Sequence, residues 1–313
     1  MVDIPLPFAA ARSRLGLAFA RLSPTARGLA WVFLSGILFA LLNATLRYVS
    51  LQLPPMMTSF LRFCFGLLVI APIVLRHGWG VFRTARPSMQ IGRNVIHASA
   101  FGIWYTALPL IPLAEMTAIG FTGPLFITIG AFLFLGEKVR WRRWAAVALG
   151  FVGCWLIVRP GFAQVSEGEL LMLAAVPVIA ASQLIAKVQT RSDSPNTIIC
   201  WQTCLMIVFF LPPALLQWQA PTWSELGLLA IAGVLGTSAN MCLVNAYKVA
   251  EISALQPLTF LNIVWASLMG LLVFADIPDH WTFIGAAVIV ASTTYIARRE
   301  ARADRQAAID ALP

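Results

Sequence analysis

Charge is what this chain has least of. Only 11% of its 313 residues are Asp, Glu, Lys or Arg, against roughly a quarter in a soluble domain. Hydrophobic residues make up 59% and the mean hydropathy is +0.82, so the chain reads as an integral membrane protein. Catalytic sets are missing too. The three histidines, His77, His97 and His280, lie on separate segments, and no HExxH, paired-Asp or Walker A motif is present to hold a metal or ATP. The stretch "GTSAN" from Gly236 lacks the final glycine of a nucleophile elbow and falls in an apolar run. An integral membrane enzyme is disfavoured on these grounds. No cofactor is expected, and any energy input would come from gradients or a partner chain.

Of the charged residues the acidic ones are fewer, 13 against 22 Lys and Arg. None lies deep in an apolar run: Glu115, Glu137, Glu251 and Asp276 fall near the ends. Were the chain to move a solute, the lack of a buried carboxylate would argue against simple proton antiport and for uniport or exchange. The net charge of +9 does not indicate nucleic acid, because the basic residues form short clusters between apolar runs rather than one continuous face. All five cysteines lie in apolar runs and only Cys200 and Cys204 are close in sequence. They read as small filler rather than a disulfide or metal framework.

What is present is a series of apolar runs of about 20 residues, each long enough to cross a bilayer as a helix. Ten are predicted, over Leu29–Val49, Met56–Leu75, Ile91–Ile111, Ala114–Leu135, Trp141–Val158, Leu170–Val188, Thr197–Trp218, Leu226–Ala246, Ile252–Phe274 and Trp281–Ala297. The connections are too short for a soluble domain. With a cytoplasmic N-terminus, nearly all of the 22 Lys and Arg residues fall on the inner side, Arg93, Lys187 and Lys248 among them. Only Arg47 and Arg159 fall outside, and Arg62 lies within the second run. The positive-inside rule places both termini in the cytoplasm. Residues 1–28, with four arginines and no cleavable apolar core, read as a retained cytoplasmic tail able to lie on the membrane; residues 299–313 form a second tail.

The chain also repeats itself. At an offset of 139, "ALPLIPLAEMTAIGFTGPLF" from Ala107 falls on "AYKVAEISALQPLTFLNIVW" from Ala246 without a gap, pairing Phe121 with Phe260 and Glu137 with Asp276. Near the start of each half 140 fits better, pairing Asn43 with Gln183, Arg47 with Lys187 and Arg62 with Gln202. Halves of five spans each, 29–159 and 168–298, must enter the membrane from opposite sides. The expected fold is therefore all-α, with ten transmembrane helices in two inverted five-helix repeats, an architecture of alternating-access transporters.

These residues carry a family resemblance. "RF" at Arg62, "ALPLIPLAEMTAIGFTGPLF", "FLFLGEKV" and "WRRWAAVALGFVGCWLIVRPG", with the echo "AEISALQPLTF" and "TFIGAAVIVASTTYI", resemble the ten-helix EamA-type members of the drug/metabolite transporter superfamily. The likeness covers about Leu29 to Arg298. It implies a polytopic inner-membrane carrier with a central cavity. The chain departs from the family in "FADIPDH" after the ninth span, where Gly-Glu is usual.

Polar side chains within lipid-embedded helices should face a bundle interior or a wet cavity. The first span sets Gly36, Phe39, Asn43 and Arg47 on one face. The sixth repeats the pattern with Gln183 and Lys187. Arg47 and Lys187 read either as snorkelling interfacial cations or as groups drawing a substrate anion to alternate mouths. The third span aligns Asn94, His97, Phe101, Trp104 and Leu108, and the eighth aligns Gly236, Asn240, Leu243 and Tyr247. Mid-span Trp104 and Trp265 serve packing or form a cavity wall, and His97 is either a hydrogen-bonded structural residue or a proton relay. In the fourth span Glu115 shares a face with Thr122. The helix dipole would favour that carboxylate, which caps the helix, latches to Arg47 or Arg62, or meets substrate. Gly123 and Pro124 add close packing and a bend, with Gln256 and Pro257 in the opposing repeat. The candidate substrate-binding set is thus Asn43, His97, Phe101, Trp104, Thr122, Gln183, Asn240, Tyr247, Gln256 and Trp265. Arg47, Arg62, Glu115 and Lys187 are the candidate gating or electrostatic residues. The expected partners are the lipid bilayer and a small amino-acid-like, vitamin-like or amphipathic substrate. A monomer holding both halves suffices, so a homodimer is not required. The competing function is a non-transporting membrane scaffold.

Overall fold

A computed structural model describes residues 22–50, 52–107, 110, 119–120, 122–137 and 167–259, then 261–274, with scattered positions within 141–152 and 284–291. Glu115, and most of the fifth and tenth predicted spans, lie outside the described residues, as do the tails at 1–21 and 299–313. Arg47 lies in a helix, but its side chain is likewise outside that set.

The described chain is helical. We number the helices α1 (Pro24–Ser50), α2 (Pro55–His77), α3 (Pro87–Ala107), α4 (Gly123–Leu135), α5 (Glu167–Gln189), α6 (Pro195–Leu216), α7 (Trp223–Val249), α8 (Ile252–Thr259) and α9 (Asn262–Phe274), with a 3₁₀ turn at Trp79–Phe82 between α2 and α3. Local chemistry explains the ends. Proline opens α1, α2, α3 and α6, where its missing N–H has no helical partner to lose. Ser194 Oγ accepts from the Thr197 amide at 3.1 Å, and Thr222 with Glu225 forms a complete capping box at the start of α7. Gly136, at φ 67°, ends α4 and lets the Glu137 amide reach back to the Ala131 carbonyl at 3.2 Å. Pro72, Pro177, Pro212 and Pro213 lie inside α2, α5 and α6, as membrane helices tolerate.

Five of these helices, α1, α2, α5, α6 and α7, are long and apolar enough to cross a membrane. The helix α3 has the length, but buried Gln90, Arg93, Asn94 and His97 interrupt its apolarity. Large apolar side chains stay exposed around the outside, among them Leu75, Phe134 and Leu216 at 80% or more. A soluble protein would bury them, whereas a bilayer covers them. The chain is a multi-pass membrane protein.

Helix packing pairs the two ends of the chain. The helix α1 lies along α7, and α3 along α5; α2 packs on both α6 and α7, α4 on α5, and α8 on α4 and α1. The crossing of α2 and α7 brings backbone against backbone. A Cβ on Gly233 would lie 2.6 Å from the Arg62 carbonyl oxygen and 2.8 Å from the Gly66 nitrogen.

The predicted ninth span is not one helix. It divides between Thr259 and Asn262 into α8 and α9. The fourth span carries a turn at Thr122, before Gly123. Both α4 and α9 have 13 residues, and they stand 139 apart at each end, from Gly123 to Asn262 and from Leu135 to Phe274. The sequence offset thus reappears as matching interruptions. The Gly-Pro pair sits at the first of these, whereas Pro257 lies inside α8, before its own break.

Candidate functional site

A cavity of about 170 Å³ opens between α1, α2, α3, α5 and α7. Its wall combines aromatic rings with two guanidinium groups. The helix α1 contributes Phe39, Leu42, Asn43 and Leu46; α2 contributes Arg62; α3 contributes Arg93, His97, Phe101, Trp104 and Tyr105. From the second half come Ile179, Gln183 and Ala186 of α5, and Asn240, Leu243, Val244 and Tyr247 of α7. Among the described residues, no Asp or Glu lines it.

Helical spacing explains the aromatic wall. His97, Phe101 and Trp104 recur on one face of α3, with the His97 and Phe101 rings 4.6 Å apart and those of Phe101 and Trp104 6.4 Å apart. Tyr105 meets Trp104 edge to face at 4.9 Å, an arrangement the ring quadrupoles favour.

Behind this wall a polar circuit ties three helices together. Arg93 donates through Nη2 to Gln202 Oε1 at 2.8 Å and through Nε to the Ser182 carbonyl at 3.3 Å. Gln202 Nε2 faces His97 Nε2 at 3.4 Å, and His97 Nδ1 lies 3.1 Å from Ser182 Oγ. With Gln202 Oε1 occupied by Arg93, its amide N–H is left to meet Nε2, which assigns the imidazole proton to Nδ1 and keeps the ring neutral. The circuit uses His97 as a structural link. Nearby, Tyr247 Oη donates to Gln183 Oε1 at 2.7 Å, joining α7 to α5 at the positions where the sequence stripes predicted polar groups.

Arg62 is held differently. Its guanidinium lies 4.4 Å from the Phe63 ring centroid and 5.8 Å from that of Phe101, and Gly236 leaves room for it: a Cβ there would sit 3.3 Å from Cζ. It stacks on rings and forms no ion pair or hydrogen bond among the described residues.

The structure sorts the predicted site residues into two groups. Asn43, His97, Phe101, Trp104, Gln183, Asn240, Tyr247 and Arg62 meet at the cavity. Thr122, Gln256 and Trp265 do not line it. Thr122 Oγ1 donates to the Ile119 carbonyl at 2.7 Å, and buried Gln256 donates along its own helix to the Ile252 carbonyl at 3.1 Å. Trp265 meets Phe33 edge to face at 5.3 Å, beside Gly36. Lys187 also lies apart. Its ammonium donates to the Tyr247 carbonyl at 2.7 Å and to that of Ala250, and so caps α7 rather than snorkelling. Lys248 of α7 returns the contact to the Thr190 carbonyl, at the end of α5. Arg93 corrects the sequence reading most. Counted there with the inner-side cations, it is buried at the cavity, with Ser182 and Gln202 as partners that were not singled out. The register aligning Arg62 with Gln202 was the one available signal.

Helices from both halves around an aromatic, basic cavity, in a chain jacketed by exposed apolar side chains, define a polytopic membrane transporter. The EamA-like transporter family model matches residues 26–159 and again 166–298. The chain belongs to that family, within the drug/metabolite transporter superfamily, which places it among transporters rather than enzymes. It is 33% identical over 284 residues to the riboflavin transporter of Rhizobium johnstonii, covering 90% of this chain and 94% of that one. It is 32% identical over 289 residues to the riboflavin transporter of Vibrio cholerae, covering 90% and 96%. To the S-adenosylmethionine uptake transporter of Rickettsia bellii it is 28% identical over 276 residues, covering 88% and 95%. A solved crystal structure superimposes with a TM-score of 0.76 at 21% identity, over 88% of this chain and 97% of the other. It shares the fold.

Proposed function

We propose that the protein is a secondary transporter that moves a small organic metabolite across the inner membrane by alternating access through this cavity. The observation that carries the reading is the composition of the wall. Residues from both family-matched segments meet there, Asn43, Arg62, Phe101 and Trp104 from the first and Gln183, Asn240 and Tyr247 from the second. A site at the junction of two repeats is where such carriers bind.

Inverted repeats are supported by the packing. Exchanging the halves turns the α1–α7 pair into α5–α3, and α2–α7 into α6–α3, contacts that both occur. The loops that meet support their lying on one common side of the membrane, which the charge distribution of the sequence makes the cytoplasmic one. Asp193 accepts from Thr84 at 2.7 Å and from Gln90 at 2.7 Å, and Glu137 accepts from the Ile252 amide at 3.0 Å. Under the positive-inside assignment all these segments lie on the inner side. A monomer is sufficient, since one chain supplies the whole wall.

The transported compound in this reading has a flat ring system to set against Phe101 and Trp104. Riboflavin, named for two of the relatives, is the first solute to test. Purified protein in liposomes preloaded with unlabelled riboflavin should accumulate labelled riboflavin by counterflow. No counterflow of riboflavin or of a wider metabolite panel would favour the scaffold instead.

A further inference from the structure

Three residues that line the cavity carry hydrogen-bond donors with no partner among the described residues. Arg93 Nη1 and Tyr105 Oη are buried atoms without a partner, in residues only 4% and 2% exposed. Arg62, 3% exposed, makes ring contacts only. All three residues line the same cavity, and none of the described residues of its wall is a carboxylate. An unpaired buried charge is strongly destabilising unless something compensates it, and buried polar atoms are nearly always satisfied. Here the Arg62 guanidinium, one nitrogen of Arg93 and a phenol, all from residues of one cavity wall, are left without an acceptor among the described residues. Arg93 nevertheless has its other nitrogens fixed by Gln202 and Ser182, so its free nitrogen is held in position rather than left loose. The Phe101 ring lies 5.8 Å from the Arg62 guanidinium and 4.6 Å from the ring of His97, which Gln202 links to Arg93.

We propose that Arg62, Arg93 and Tyr105 form an oxyanion subsite, and that the physiological ligand joins a flat aromatic ring to a carboxylate or phosphate group. The inference rests on the carrier reading and deepens it by naming the substrate class. The ring lies on Phe101 and Trp104 while the oxyanion takes the free donors. Guanidinium groups suit either anion because their planar fork matches two oxygens at once. A permanently cationic ligand without an oxyanion meets two like charges and is excluded.

Matched pairs of probes test this: nicotinate against nicotinamide for the carboxylate, and riboflavin 5′-phosphate against riboflavin for the phosphate. Binding is read on detergent-purified protein by thermal shift, with inorganic phosphate as a competitor. The anionic member of at least one pair should bind about ten- to a hundredfold more tightly, the range of a charge-assisted hydrogen bond. Which pair responds identifies the anion. Arg62→Gln and Tyr105→Phe should lose most of that preference. Tyr105→Phe should do so without lowering the unliganded melting temperature, since it removes an atom with no partner, which a merely structural role does not predict. Arg93→Lys should keep part of the preference and Arg93→Gln none.

Equal affinity within both pairs overturns the proposal. So does a preference unchanged in Arg62→Gln and Tyr105→Phe, or no binding by any probe, inorganic phosphate included. Counterflow separates this outcome from that of the carrier reading. Flux of the neutral members without anion preference removes the subsite and leaves the carrier. Saturable anion binding without flux of any probe leaves the subsite and removes the carrier.

Discussion

Lys187 and Lys248 cap each other's helices. The Lys187 ammonium of α5 bonds carbonyls at the end of α7, and the Lys248 ammonium of α7 bonds the carbonyl that follows α5. Cations at helix C-termini contribute roughly 0.3–1 kcal/mol, and up to about 2 in partly buried geometry. Because each contact holds the helix that carries the other, the two should be coupled. Lys187→Met and Lys248→Met should each lower the melting temperature, and the double variant should lose less than the sum, by more than about 0.5 kcal/mol. Additive losses would show two independent surface caps.

The α2–α7 crossing should tolerate no side chain at Gly233. The Arg62 carbonyl and the Gly66 nitrogen, both within 3 Å of a Cβ there, are backbone atoms with no rotamer to escape into. Gly233→Ala should cost about 1–3 kcal/mol, the range for overpacking, and Gly233→Val more. Gly227 of the same helix has open space around it, so Gly227→Ala should be neutral or gain up to about 1 kcal/mol in helix propensity. Equal melting temperatures for the two alanine variants would contradict the crossing.

Two tryptophans should separate binding from packing. Trp104 faces the cavity and Trp265 does not. In riboflavin counterflow, Trp104→Ala should raise KM several-fold, in line with about 0.5–1.5 kcal/mol for an aromatic pair. Trp265→Ala should leave KM unchanged and lower thermal stability through the lost contact with Phe33. A KM effect confined to Trp265 would move the binding site to α9.

Membrane sidedness can be read from two other tryptophans. Trp79, 80% exposed, lies in the turn after α2, and Trp223, 90% exposed, opens α7. In a background with all five native cysteines replaced, Trp79→Cys should react with an impermeant maleimide only after the membrane is breached. Trp223→Cys should react in intact spheroplasts. The reverse pattern would invert the topology.

Much of the cavity was legible because it follows helical period. His97, Phe101 and Trp104 on α3, and Asn240, Leu243 and Tyr247 on α7, emerge from spacing alone, and all line the cavity. The 139-residue offset likewise anticipated matching helices at Gly123–Leu135 and Asn262–Phe274. Arg93 was lost to the positive-inside tally, because a basic residue near a helix end looks the same whether it faces headgroups or a cavity. Its circuit needs Ser182 and Gln202 from two other helices, and no spacing within one helix encodes that. Trp265 shows the converse: a mid-span aromatic is equally good packing, and only its neighbours Phe33 and Gly36 decide. The division of the ninth span lies after Pro257 rather than at it, so the proline alone did not mark the break.

At the crossing of α2 and α7, a backbone atom pressed against Gly233 is the carbonyl oxygen of Arg62 itself. The cavity's unpaired guanidinium is therefore anchored at the fulcrum of that crossing. If the two helices rock during a transport cycle, their ends sweep the longest arcs and this point the shortest. In such a motion a charge mounted near the axle would be displaced least.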